Sequence, residues 1–104
     1  MITINIFKIK KGKEETWHRW CRRLNSTLKK EASGTLEEEG VDSESCFTFK
    51  IGAQSFVVGV LEHPRGIFPA NMKKKINVMH REKKKECLQY LGRAPMLYSL
   101  RNKK

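Results

Sequence analysis

The sequence predicts an α+β domain with the element order β-α-β-β-α-β, and three observations carry that prediction. Residues 2–9 (ITINIFKI) are β-branched and aromatic, the composition of a strand. From residue 13 to 39 apolar side chains recur at spacings of three and four, the period of a helix with one buried face. Residues 41–51 (VDSESCFTFKI) then alternate strictly and are followed, after GAQ, by the apolar run SFVVGVLE, the pattern of a hairpin.

In the first strand Ile2, Ile4 and Ile6 share one face, and Phe7 and Ile9 the other. The KKGK turn ends it, with Gly12 at the flexible position. In the helix that follows, Trp17, Trp20, Leu24, Leu28, Ala32 and Leu36 form one stripe against a basic face of Arg19, Arg22, Arg23, Lys29 and Lys30. Gly34 weakens that helix and Gly40 stops it. In the next strand Phe47, Phe49 and Ile51 face one way, and Glu44, Cys46 and Thr48 the other. HPRGIFP (63–69) is an irregular loop. Residues 70–91 read as a second long helix, Gly92 as its stop, PMLYSLR as the last strand and 101–104 as a basic tail. This is the split βαβ order of ferredoxin-like folds, a single domain over residues 1–104 with a four-stranded antiparallel sheet. The first strand is apolar on both faces and Phe56–Leu61 has no polar face. Helices cover only one side of such a sheet, so the expected assembly is a homodimer with its sheets face to face, a dimeric α+β barrel.

The chain has 104 residues and 12.1 kDa, enough for one modest core. Its longest apolar run is far too short to span a bilayer, and MITINIFKIK reads as a strand rather than a secretory leader, so a cytoplasmic protein without a membrane partner is expected. Three widely spaced cysteines with no CxxC or HxxxH pair point to free thiols, no disulfide framework and no zinc site; neither metal nor cofactor is expected. The net charge of +11 clusters at Lys8–Lys13, Arg19–Arg23, Lys73–Lys75 and Arg81–Lys85. Such clusters attract polyanions by counterion release, which makes nucleic acid the alternative partner to a small molecule.

The segments FKIKKGKEETW, LEEEGVDSESCF and VMHREKKKEC resemble an uncharacterised family of short bacterial proteins that carries only a domain-of-unknown-function label. The positions that carry the likeness are Gly12, Trp20, Leu24, Glu39, Glu44, Phe47, Ile76, Asn77, His80 and Cys87, with Asn77 standing where an aspartate is usual. The resemblance implies the barrel fold and no known chemistry. A weaker likeness, to L-rhamnose mutarotases, lies in the GKEE helix start; it implies proton transfer to a sugar by a first-helix histidine. Cys21 occupies that position here and His18 lies three residues earlier on another face, so mutarotase activity is not expected.

WHRWCRRLNSTL concentrates two tryptophans, a histidine and a cysteine, but its spacing makes Trp17, Trp20, Leu24 and Leu28 a core stripe with Cys21 at the edge and His18 at the boundary. His80 follows Ile76 by four positions at the border of the second helix's apolar face, where a histidine exchanges protons near neutral pH or holds an anion. Glu44 is its natural partner, as a carboxylate on a strand is costly to bury unless it is paired or used. The expected site therefore has His80 and Glu44 as catalytic residues and Trp17, Trp20, Phe47, Asn77 and Cys21 around the ligand, a small organic, anionic molecule bound or transformed without metal. Two alternatives stand beside this reading. A nucleic-acid module would use Phe7 and Phe56 on the central strands, although AQSFVVGVLE lacks the K/R-G-F-x-F pattern. A haem-binding protein or cofactor-independent oxygenase of the same barrel class would have Asn5 and His80 as its hooks. Glu37, Glu38 and Glu39 sit at the unfavourable end of a helix dipole, and Arg65 or the tail is the expected counter-charge.

Overall fold

A computed structural model describes residues 1–102; residues 103 and 104 of the expected basic tail lie outside the described residues. The chain runs β1 (Ile2–Ile9), α1 (Glu14–Leu24), α2 (Lys29–Glu38), β2 (Ser43–Ile51), β3 (Gln54–Glu62), α3 (Lys75–Cys87) and β4 (Leu88–Arg93). The four strands form one antiparallel sheet in the order β2-β3-β1-β4. An α+β fold with ferredoxin-like strand order is thus the architecture, as the sequence predicts.

The single helix expected over 13–39 is broken in two. Asn25, Ser26 and Thr27 all compete for backbone hydrogen bonds, and the Ser26 hydroxyl donates to the Arg22 carbonyl. The Leu28 N–H reaches the Arg23 carbonyl instead of that of Leu24, so the ladder slips by one residue and restarts at Lys29. Gly40 does end the second piece. It adopts φ +69°, its N–H bonds the Glu37 carbonyl and the Val41 N–H bonds the Leu36 carbonyl, the paired bonds of a Schellman cap.

The second half departs further from expectation. Residues 70–74 are not helical: the Asn71 side chain accepts from the Lys73 N–H and its carbonyl from the Lys74 N–H, a turn that delays α3 to Lys75. The helix stops at Cys87 rather than Leu91, because Leu88 turns extended and pairs with Ile9 at the buried edge of β1. Gly92 is not a helix stop but a bulge residue. Phe7 pairs with Tyr90 and Ile6 with Gly92, which leaves Leu91 as the extra residue and Gly92 at φ +149°. Residues 95–101, read as the last strand, have no regular structure; Leu97, Tyr98 and Leu100 are exposed.

The core lies between the helices and one face of the sheet, with Trp17, Trp20 and Ile76 packed on Ile9, Val57 and Leu88, and Cys87 fully buried. The other face carries Ile2, Ile4 and Ile6 of β1, Phe56, Val58 and Val60 of β3, and Phe47 and Phe49 of β2. Phe47 is 58% and Phe49 40% exposed there. No helix among the described residues is long and apolar enough to cross a membrane.

Candidate functional site

Three elements turn one face each toward a cleft of about 880 Å³ between the helix layer and the sheet. On α3 the positions Ile76, His80 and Lys84 follow one another at four-residue spacing: Ile76 enters the core, and all three border the cleft. From α1 come Trp17, Cys21 and Leu24, again one helical stripe. The alternation of β2 puts Glu44 and Cys46 on the same side, facing Gly59 and Leu61 of β3 in the cleft floor. Such a volume is within the usual range for small-ligand sites.

His80 is fixed by Trp20. The buried indole Nε1–H donates to His80 Nδ1 at 2.8 Å, and the two rings stack with centroids 5.9 Å apart. Since Nδ1 accepts that hydrogen bond, the proton of the neutral ring sits on Nε2. Burial, aided by the Lys84 ammonium, pushes its pKa down to about 4. His80 is therefore a neutral hydrogen-bond donor at physiological pH. This differs from the near-neutral proton exchanger or cationic anion site that its helix position suggests, because the sequence does not reveal the indole behind it.

Glu44 moves in the opposite chemical direction. Burial raises its carboxyl above the ordinary carboxylate range and the like charge of Glu39 adds to this, while Lys84 opposes it. Residue Glu44 keeps solvent contact because β2 is an edge strand, yet its carboxyl belongs to the cleft wall. Lys84 places its ammonium 5.2 Å from the centre of the Phe7 ring, a cation–π contact that holds it at the cleft.

A second polar group sits beside these. Cys21, half-buried on α1, and Cys46 on β2 also border the cleft. The influence of Cys21, and after it of Trp17, holds the Cys46 thiol below its usual range against the opposing effect of burial, while Cys46 and burial push the Cys21 thiol up.

Of the residues expected at the site, His80, Glu44, Trp17, Asn77 and Cys21 all border this one cleft. Trp20 stands behind it as the anchor of His80. Phe47 is not a wall: strand alternation puts it opposite Val58 on the open face of the sheet, away from the helices. Asn77 has a structural task, its Nδ2 donating at 2.9 Å to the Asn71 carbonyl and so holding the loop before α3. Asn5, a hook for the oxygenase alternative, accepts from the Tyr90 hydroxyl at 3.3 Å. Sequence reading did not assign Lys84 and Cys46 to the site. The signals were present, in the four-residue step from His80 and in the face shared with Glu44. Among the described residues the counter-charge for the acidic helix end is Lys74, 3.0 Å from Glu38, and not Arg65; the tail lysines expected as the other candidate lie outside the described residues. Among the described residues no group of three or more His, Cys, Asp or Glu is placed to hold a metal ion.

A sequence profile for a family of unknown function, DUF6176, matches residues 2–100. No curated protein and no solved structure matches the chain.

Proposed function

The chain belongs to the DUF6176 family, which is described without an activity, and we propose that its cleft binds a small organic carboxylate. Lys84 and the Nε2–H of His80 donate to the ligand's oxygens, and Trp17, Leu24 and Phe7 supply the apolar wall. Glu44 is the group that exchanges a proton with the ligand. The observation that carries this reading is the Trp20–His80 hydrogen bond, which leaves the imidazole a single free edge, a donor, on the same helix stripe as Lys84. A neutral imidazole donor costs little to keep desolvated, and a carboxyl of raised pKa tolerates an anionic neighbour better than an ordinary carboxylate does. Where the ligand has an acidic C–H beside its carbonyl, the same groups suit proton abstraction by ionised Glu44 while His80 and Lys84 polarise the carbonyl oxygen.

The test is a thermal-shift screen of 2-oxo, 2-hydroxy and aromatic carboxylates on the wild-type chain, His80→Gln and Lys84→Met. A carboxylate that raises Tm of wild type and has no effect on Lys84→Met supports the reading. No response from any compound, or equal responses in all three proteins, refutes it. Exchange of the ligand's α-proton in D2O then separates binding from transformation.

The same reading includes a homodimer. Extended contiguous apolar patches are uncommon on monomers, and a two-fold-related copy would bring the face of Ile4, Ile6, Phe47, Phe56, Val58 and Val60 against its own equivalent. Light scattering should give about twice the chain mass, unchanged by salt, and Phe47→Glu should halve it without unfolding. A wild-type monomer that binds oligonucleotides steeply less well in salt would instead favour base stacking on Phe47, Phe49 and Phe56.

A further inference from the structure

Lys84 and His80 mark only part of the cleft, and much of the remainder is apolar. Along α3, Ile76 precedes Lys84 by eight residues, about 12 Å at the rise of an α-helix, with His80 midway. The helix ends over the Ile9 end of β1, where the Lys10 N–H donates to the Cys87 carbonyl. Its start lies at the opposite end of the sheet, where Lys74 pairs with Glu38 and α2 leads through Val41 into β2. The floor follows the same direction. The Lys84 ammonium lies over Phe7, which pairs with Val57; Gly59 comes next on that face of β3, and Leu61 after it. Gly59 leaves the floor bare: a Cβ there would meet nothing closer than the Phe7 ring at 3.9 Å. Beyond it the cleft continues between Leu36, Val41, Leu61, Met72 and Ile76. Leu36 and Leu61 are half-buried and Met72 is exposed, so these side chains cover one another only in part.

The two ends of the cleft also differ in charge. Lys84 and Lys85 border the one, and Glu39 borders the other, at the C-terminal end of α2 where the helix dipole is negative. A carboxylate is drawn to the first end and repelled from the second, while hydrocarbon laid at the second end covers apolar surface that otherwise faces water. We propose that the carboxylate taken by this cleft is a medium-chain aliphatic acid, its head group between Lys84 and the Nε2–H of His80 and its tail lying across Gly59 toward Leu61 and Ile76. The inference rests on the carboxylate reading above and adds what fills the rest of the cleft. The helix step from Lys84 to Ile76 suits an extended chain of roughly ten carbons. Each methylene moved from water into the groove should tighten binding about two- to fourfold, the upper figure being that of full burial. Gly59 sets the depth of the floor and so selects for a tail.

The experiment is isothermal titration of the full-length chain with acetate, hexanoate, octanoate, decanoate and decanol, each below the concentration at which it forms micelles. For wild type, Kd should fall about two- to fourfold per methylene from hexanoate to decanoate, and decanol should bind at least tenfold more weakly than decanoate. Lys84→Met should lose the preference for decanoate over decanol. Gly59→Val, with its fold checked by circular dichroism, should keep the response to acetate and lose the dependence on chain length. Where that variant does not fold, Leu36→Asn on the opposite wall takes its place, with the same expected loss. Binding of acetate and decanoate with equal affinity would overturn the tail and leave the carboxylate reading standing. Decanol as tight as decanoate, or a length dependence unchanged in the folded floor or wall variant, would overturn the proposed pose. No binding by any of the acids, together with no response in the carboxylate screen above, would remove both readings.

Discussion

Replacing His80 with glutamine should remove a specific part of the protein's acid sensitivity. In the fold the imidazole pKa is about 4 against 6.5 when free, because a protonated ring would be desolvated, set beside Lys84, and forced to surrender the hydrogen bond from Trp20. As pH falls the unfolded chain therefore takes up this proton first. The stability that neutral His80 supplies is complete above about pH 6.5, declines below it, and is lost by about pH 4. The gap between the two values corresponds to roughly 3 kcal/mol, a large part of the stability of a domain this size.

Glutamine keeps an acceptor for the indole N–H and does not titrate, so it isolates this contribution. The other acids would otherwise confuse the profile. Glu44, raised in the fold, gives stability that is complete at low pH and is lost as pH rises through its folded value, the opposite sign. Exposed Glu15 and Glu86, lowered first by hydrogen bonds from Arg22 and from Lys13, lose their contribution only as pH falls into the carboxylate range. All three are common to both proteins and cancel in the difference. Urea unfolding at steps from about pH 7.5 to 4 should show the wild type losing roughly 3 kcal/mol more than His80→Gln. Parallel profiles would refute the neutral, indole-bound histidine and with it the donor role proposed for Nε2.

Three further outcomes follow from particular contacts. Gly40→Ala should destabilise by about 2 kcal/mol in chemical denaturation, since an alanine there adopts φ +69° and its Cβ meets the Phe68 ring at 3.1 Å; a change below about 0.5 kcal/mol would show that the cap relaxes freely. Lys84→Met should raise the pKa of both His80 and Glu44, because one ammonium disfavours a second cation and favours a carboxylate; NMR titration that finds either one falling contradicts the placement of that charge. Ala32→Leu, at the cleft edge of α2, should stabilise by about 1 kcal/mol through added burial while abolishing any carboxylate response, and a retained response would move the binding site elsewhere.

How far the sequence was legible depended on whether a signal was local. The alternation of residues 43–51 is self-contained, and it correctly separates the Glu44–Cys46 face from the Phe47–Phe49 face. The stripe of Trp17, Trp20 and Leu24 is equally local. Element ends set by distant partners were not readable. Leu88 to Leu91 looks helical beside Glu86 and Cys87, and only the waiting edge of β1, with Ile9 to bury Leu88, draws those residues into a strand. His80 marks the same boundary for chemistry. Its helix position is visible in the spacing, but its protonation is decided by an indole 60 residues earlier.

The cleft itself has a cause in the sequence, in the taper of a single apolar stripe. Its first turns carry Trp17 and Trp20, which bury fully and press α1 onto the sheet. Beyond the break at Asn25–Leu28 the stripe continues with Ala32 and Leu36, and only Thr35 of α2 is buried. Across from these small residues the sheet offers Gly59 and the edge strand β2, again with little bulk. Helix and sheet thus close tightly at the tryptophan end and stand apart at the alanine end. Uniformly large residues would have produced a better filled core, and interiors of ordinary packing density leave few such gaps. Glu44 and His80, which line the wedge, gain most of their unusual chemistry from lying where burial is partial: dry enough to move a pKa, open enough to meet a solute. Weak packing at α2 and reactive potential at the cleft are therefore two effects of the same taper.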